Sequence, residues 1–309
     1  MARLVLGSRG SALALAQVRI VQDALLRFHP GLEIEVKIIT TSGDRRQEVK
    51  AGEGSAAGLK GLFTKEIQDA LLDGSVDAAV HSLKDLPGVT PDSLGLAAVL
   101  PRADTSDLLI SKAHPSLTSL PDGARVGTGS VRRRRQLQWI RPGVDVVEIR
   151  GNVPTRLQKA LGLDAIVLAR AGLDRLGYSI SSGTLQCDAG SFHASPLDIL
   201  PAIGQGAIGI ETRQEDGAAR ELLAAIDHLP THVCIRAERE LLRLLDGDCK
   251  LPVAARATLD EAGQIHAEAI VFPDSEAEMP AHAKGSGTDP EAVALNLFNQ
   301  LKMIPSSNP

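Results

Sequence analysis

The sequence predicts an α/β protein: two α/β domains followed by a small C-terminal α+β domain. Three observations carry this reading. Strand and helix signals alternate through roughly the first 180 residues, as expected of strand–helix–strand units. A strand-like run with a glycine-rich turn, "ILPAIGQGAIGIETR", follows and is read as crossing back to the first unit. From about residue 230 the alternation gives way to one long helix, two strands and a closing helix. The boundaries expected are residues 1–102 with about 203–226, residues 103–202, and residues 227–309.

In chain order, "RLVLG" reads as a strand and "SALALAQVRIVQDALLRFH" as an amphipathic helix opened by a serine cap. "EIEVKIITT" alternates as a strand, and "SGDRRQEVKAGEGSAAGLKG" is polar and aperiodic, the pattern of a long loop acting as a lid. The helix "LFTKEIQDALLDG" and the strand "VDAAVHS" close the first unit. In the second, "ARVGTGS" leads into "VRRRRQLQWI", "VDVVEIR" into "NVPTRLQKAL", and "LDAIVLA" into "AGLDRLG", which predicts parallel sheets with helices on both faces. "SISSGTLQCDAGSFHASP" reads as a loop or linker. The third unit comprises the helix "THVCIRAERELLRLLDG", strands "VAARATLD" and "QIHAEAIVF", and the helix "PEAVALNLFNQLKMI".

A formal charge of −5 argues against general nucleic-acid binding, yet 23 arginines against 10 lysines favour forked contacts to carboxylates or phosphates. Cys187, Cys234 and Cys249 form no CxxC pair, so neither a zinc site nor a disulfide framework is expected. Without a signal-like N-terminus or a long apolar run, a cytoplasmic protein with no membrane partner is expected.

Arginines recur just past strand ends and at helix starts, where α/β proteins place anionic ligands. Arg9 and Ser11 lie in "GSRGS", Arg132 to Arg135 follow "GTGS", Arg150 and Arg156 flank "GNVPT", and Arg175 lies in "AGLDRLG". The ordinary alternative for four consecutive arginines is a solvated basic helix face. Four such placements point to a polyanionic ligand. "VDAAVHSLKDLP" ends a strand with Lys84 and Asp85, the latter either an acid or counter-ion, or simply a partner for Lys84 or a helix cap. His81 is read as structural.

The segments "KGLFTKEIQDALLDGSVDAAVHSLKDLP", "VGTGSVRRRRQLQ", "IRGNVPTRL", "AIVLARAGLDRLG" and "LPAIGQGAIGIE", with Cys249 in the turn "LLDGDCKLPVAA", resemble the porphobilinogen deaminase (hydroxymethylbilane synthase) family from Leu4 to at least Arg256. The resemblance implies two periplasmic-binding-protein-like α/β domains and a small third domain in a monomer. It also implies a transferase that joins four porphobilinogen molecules with loss of ammonia and releases hydroxymethylbilane. A dipyrromethane cofactor would be attached to Cys249 by a thioether. Lys84, Asp85, Thr128, Ser130, Arg132, Arg133, Arg150 and Asn152 would contact it. Arg9, Ser11, Arg150, Arg156, Arg175 and Gln205 would hold substrate, Asp85 would be catalytic, and Lys60 and Phe63 would end a lid; no metal is implied. The chain departs from the family's common pattern at Asp248, where Gly-Gly-Cys is usual, at Gly129 in "GTGS", and at Leu59 before "KGLF". A two-lobed carboxylate-binding protein without catalysis is the alternative from another class.

Overall fold

The computed structural model describes residues 2–42, 64–246, 252–273, 275 and 278–302. The first lobe contains β1 (Arg3–Ser8), α1 (Ala12–Phe28), β2 (Glu33–Ile38), α2 (Lys65–Leu72), β3 (Ala78–Ser82), a 3-10 turn (Leu83–Asp85) and β4 (Leu94–Val99). The second contains β5 (Asp107–Ser111), β6 (Arg125–Gly127), α3 (Val131–Ile140), β7 (Asp145–Val147), α4 (Val153–Lys159), β8 (Ala165–Ala169), α5 (Arg170–Arg175), β9 (Ile180–Ser181), β10 (Thr184–Cys187) and β11 (Gly190–Pro196). The chain then returns through β12 (Ile208–Arg213) and α6 (Gly217–Ala224). It ends in α7 (Leu229–Asp246), β13 (Val253–Leu259), β14 (Ile265–Val271), β15 (Ala281–Gly287) and α8 (Pro290–Lys302).

Three sheets result, ordered β2-β1-β3-β12-β4, β7-β6-β8-β5-β11-β10-β9 and β13-β14-β15. Strand β12 lies within the first sheet, so the chain does cross back after its excursion. The expected parallel pairing holds among β1, β2 and β3 and among β6, β7 and β8, but each of these two sheets as a whole is mixed. Strand β12 runs antiparallel to β3 and β4, and β5 runs antiparallel to β8 and β11. Helical crossovers force parallel neighbours only where they join adjacent strands, and the chain reaches β5 and β12 by other connections. The segment expected to be a linker is instead the antiparallel run β9-β10-β11. Its inward residues Leu185, Phe192 and Ala194 are buried, but Ser, Gly and Asp between them obscure the period of two. Strands β4, β5 and β15 are additions to the sequence reading.

Helix α1 begins where Ser11 Oγ accepts the Ala14 N–H at 3.2 Å, and it buries Val18, Val21 and Leu25 at helical spacing. Those residues pack on Leu4, Leu6, Val80 and Ile210 of the first sheet. In the third domain, Leu241 of α7 and Val293 and Leu297 of α8 cover Ala255, Ile265 and Ala269. Each large aliphatic side chain removed from water contributes about 1.5–3 kcal/mol.

Two segments connect the lobes and lie side by side: Leu100 N–H donates to Ile208 O at 3.1 Å, and Ala103 N–H to Gly206 O at 3.0 Å. Glu238 of α7 fastens this crossing to the third domain. Its buried carboxylate accepts from Arg102 Nη1 and Nη2 at 2.6 and 3.0 Å, from Gly204 N–H at 2.8 Å, and from Ala257 N–H at 2.8 Å. The middle of α3 makes a second tie: Arg135 Nη2 donates to Ser275 O at 2.8 Å, while its guanidinium lies 5.7 Å from the Phe272 ring centre. Trp139 meets the same ring edge-on at 6.2 Å.

Gly206 holds φ +83°, and a Cβ there would sit 2.5 Å from Ala103 O, a backbone atom that cannot swing away. Gly206→Ala is therefore expected to destabilise the protein by roughly 2–5 kcal/mol, combining left-handed strain with overpacking. A lowered urea midpoint with unchanged m-value checks this; an unchanged midpoint refutes it.

Candidate active site

The first wall is the end of β3. All of Ala78 to His81 is buried, and Ser82 Oγ exchanges hydrogen bonds with the Gln17 side-chain amide of α1 at 2.7 and 3.0 Å. The 3-10 turn that follows is anchored by Leu83, whose N–H donates to Ala207 O at 3.1 Å and whose side chain packs with Leu86, Val99 and Ile235. Gly204, at φ +71°, lets its backbone pass close to Leu83 and Lys84; a Cβ there would lie 3.0 Å from Lys84 N. Lys84 and Asp85 are left facing solvent at the cleft. Asp85 has no hydrogen-bonding or ion-pairing side-chain partner among the described residues, so it neither caps a helix nor pairs with Lys84. Lys84 stays in contact with solvent, but the surrounding walls desolvate its ammonium and push its pKa down to about 8. The Asp85 charge opposes that shift and Arg133 reinforces it.

The second wall is the start of α3. Arg132 and Arg133 are 7% and 5% exposed, which overturns the solvated basic face as their explanation. Both converge on one carboxylate that sequence reasoning did not identify. Arg132 Nη2 donates to Asp107 Oδ2 and Arg133 Nη2 to Asp107 Oδ1, each at 2.7 Å. Their other ends donate to Leu200 O at 2.6 Å and Val167 O at 3.0 Å. Burial alone would raise the Asp107 carboxyl, but Arg133 and Arg132 outweigh it and hold the group well below its ordinary range. The Nε atoms of Arg132 and Arg133 are buried without a partner among the described residues. Gln205 is buried beside them, donating to Thr105 O at 2.8 Å and Asp107 Oδ1 at 2.9 Å, so its amide nitrogen serves the hinge. Ser130 caps α3 by accepting from Arg133 N–H at 3.4 Å, and Thr128 Oγ1 accepts from Ser130 N–H at 3.2 Å. Both hydroxyls keep a proton to donate.

Arg156 belongs to the same cluster. Desolvation lowers its pKa, Arg133 adds to the effect and Asp85 opposes it. Its Nε donates to Gly151 O at 2.8 Å, and Asn152 caps α4 by accepting from Thr155 N–H at 2.9 Å. Arg150 lies at the rim, exposed, with Nε 2.7 Å from Glu148. Arg175 donates to Gly206 O at 2.6 Å, and desolvation pulls its pKa down to about 10. Arg9 and Ser11 sit at the start of α1, in the opposite lobe. The lobes meet there: a Cβ on Gly172 of α5 would touch Leu13 of α1 at 3.9 Å and Val153 of α4 at 4.0 Å.

Cys249, Lys60 and Phe63 lie outside the described residues, as do Asp248 and Leu59. Arg134 is half-buried and Arg170 pairs with Asp174 at 3.5 Å and Asp104 at 3.8 Å. His81 faces Glu211 at 3.1 Å inside the first lobe, a structural contact as expected. No cluster of three or more potential metal ligands occurs among the described residues. A groove of about 1400 Å³ between α3, the hinge and the polar face of the third sheet holds none of the expected site residues.

The family described as "Porphobilinogen deaminase, dipyromethane cofactor binding domain" matches residues 4–221, and "Porphobilinogen deaminase, C-terminal domain" matches residues 232–303. A porphobilinogen deaminase of Moorella thermoacetica is 44% identical over 303 residues, covering 97% of this chain and 93% of that one. A second, from Syntrophobacter fumaroxidans, is 42% identical over 293 residues, covering 92% and 91%. Among solved structures, the methionine binding protein MetQ is a distant likeness: TM-score 0.45 and 12% identity, covering 72% of this chain and 88% of that one. With both domain families matched in order and relatives aligned along nearly its whole length, the chain belongs to the porphobilinogen deaminase family.

Proposed function

We propose that this cleft holds a growing pyrrole chain by its carboxylate arms and that Asp85 acts on the reacting atoms. Porphobilinogen deaminases are hydroxymethylbilane synthases (EC 2.5.1.61), and this chain is such a transferase of tetrapyrrole biosynthesis. It condenses four porphobilinogen molecules head to tail with loss of ammonia. The observation that carries the site assignment is electrostatic. Two guanidiniums anchored on Asp107 act electrostatically on Lys84, in a Lys84–Asp85 turn whose aspartate has no side-chain partner among the described residues.

The residues present suit a dipyrromethane. Each ring bears an acetate and a propionate arm, and the unpartnered Nε atoms of Arg132 and Arg133 are buried donors in need of acceptors. Lys84, Arg150, the Thr128 and Ser130 hydroxyls and the Asn152 amide add further donors. A well-made charge-assisted hydrogen bond contributes about 1.5–3 kcal/mol. When bound, the dipyrromethane supplies the pyrrole carbon to which the first porphobilinogen is joined. Cys249 would tether it, and Lys60 and Phe63 would help keep water from the reacting centre. Arg9, Ser11, Arg156 and Arg175 hold the arms of incoming substrate, while Gln205 keeps Asp107 and the hinge in place. Asp85 accepts hydrogen bonds from pyrrole N–H groups and stabilises the positive charge that develops as ammonia leaves. It then receives the proton lost when the new carbon–carbon bond is complete. In this reading the enzyme works as a cytoplasmic monomer. A carboxylate binder without catalysis would not need Asp85 or a tethering cysteine.

Intact-mass measurement of the purified protein is expected to show a covalent dipyrromethane-sized adduct that Cys249→Ser removes, and added porphobilinogen should give further steps of one pyrrole unit. An unmodified mass in active protein would sink the tether. Asp85→Ala should keep the adduct and the fold but lose nearly all turnover, and near-normal turnover would remove Asp85 from the mechanism. Lys84 supplies the pH test. Its ammonium persists below about pH 8 and is lost above it, so affinity for the carboxylate-bearing substrate should fall as pH rises through that value. Lys84→Arg should flatten this limb in KM-against-pH profiles, because guanidinium stays charged. An unaltered limb in that variant assigns it to another group.

A further inference from the structure

Helix α7 ends at Asp246, three residues before Cys249. Midway along it, two consecutive residues reach out of the third domain in different directions. Glu238 grips the hinge through Arg102 and Gly204 N–H. Arg239 grips the segment that follows Asp85. Its Nη2 donates to Pro87 O at 3.0 Å, and Nη1 lies 3.5 Å from Leu86 O.

That hold matters because of how Asp85 is aimed. With no side-chain partner among the described residues, its carboxylate points wherever the backbone of the 3-10 turn directs it. The turn's leading end is fixed by Leu83, buried and bonded to Ala207 O. Its trailing end has apolar packing of Leu86 on Ile235 of α7, which sets a distance but no orientation. Leu86 N–H bonds back to Leu83 O at 3.2 Å and so closes the turn on itself; Arg239 supplies the directional contact from outside the turn, and Pro87 has no N–H with which to make one of its own. The guanidinium is itself held in place electrostatically. Glu211 in the middle of β12 is its opposing charge, and Glu211 is fixed by Gln68 Nε2 at 3.1 Å and His81 Nε2 at 3.1 Å. The chain of contacts thus runs from β3 through β12 to α7 and back to the end of β3.

We infer that Arg239 is a positioning residue for the condensation: it fixes the peptide after Asp85 against the helix that leads to Cys249, so that the carboxylate and the tethered rings keep one register. This rests on Asp85 being the catalytic carboxylate. Arg239 reaches the site through the backbone that follows Asp85. Its effect passes through two carbonyl groups.

The test uses holoprotein of Arg239→Lys and Arg239→Met, with turnover expressed per molecule carrying the adduct by intact mass. Displacing a reacting group by about 1 Å costs on the order of 100-fold in rate, so Arg239→Met should lower kcat by about 10–100-fold with KM changed less than about threefold. Arg239→Lys, which keeps the charge but loses the fork, should recover part of that loss. Hydrogen exchange followed by mass spectrometry should show faster exchange across residues 83–88 in both variants, with the hinge segment 100–106 unchanged. Normal kcat per loaded molecule, or unchanged exchange at 83–88, overturns the inference, even where melting temperature falls. Should Arg239→Met fail to fold or load, Arg239→Lys decides: an unchanged kcat overturns the proposal and a fall of about fivefold or more supports it. Asp85→Ala run alongside separates the two ideas. If it stays active, the Asp85 reading fails. If it is inactive while both Arg239 variants turn over normally, only the Arg239 inference fails.

Discussion

Arg132 and Arg133 occupy successive positions at the start of one helix, where two buried positive charges would repel each other and the helix dipole; the carboxylate of Asp107 between them is what makes the arrangement tenable. Two unit charges about 4 Å apart interact by about 4 kcal/mol at an effective dielectric of 20, so an unneutralised pair would cost a sizeable share of a typical domain's stability. With Asp107 in place the group carries one net positive charge, and its guanidiniums are locked before any ligand arrives. Pre-set donors need no reorganisation when an anion docks, which is where much of a site's electrostatic value lies. Gln205 bonds the same carboxylate from the hinge, so the ligand-facing cations and the joint between lobes share an anchor.

The third domain is registered against that anchor from several directions. Glu238 meets the hinge, Arg239 meets the segment after Asp85, and Arg135 with Trp139 of α3 meets Phe272. Helix α3 consequently has two jobs along its length, with cations for the cleft at its start and, from its middle to its end, a cation and an aromatic for the third domain. Three of the four arginines in the row, Arg132, Arg133 and Arg135, are explained by division of labour. Successive residues diverge by about 100° around a helix, and a single face could not have used them all.

Much of the helix content and the crossing-back of the chain were legible, because amphipathic spacing, serine and asparagine caps and glycine-rich turns are local signals. The arginines at strand ends were legible for the same reason. Asp107 was not: it opens the apolar strand "DLLIS" with no neighbouring motif, and only the approach of α3, 25 residues further on, gives it meaning. Glu211 and Glu238 are of the same kind, single carboxylates whose partners lie in other elements. The antiparallel entry of β5 and β12 into their sheets was not legible either, since alternation of strand and helix says which elements exist but not the sheet position to which each returns. In β9 to β11, turn-forming residues on the outward face hid a buried face of Leu185, Phe192 and Ala194.

Strand β12 fills the slot between β3 and β4, with hydrogen-bonded neighbours on both sides. Everything needed for the rest of that sheet has been synthesised by residue 99, yet the slot stays empty until residue 213 is made. Chains grow at about 5–20 residues per second, so the ribosome leaves two apolar strand edges waiting for several seconds while the second lobe is translated. The second lobe, whose strands run without interruption from Asp107 to Pro196, can complete its sheet first. Folding during synthesis would then proceed from the middle of the chain outwards, and the Asp85 turn, braced by Ala207 just ahead of β12, would be among the later parts of the cleft to set.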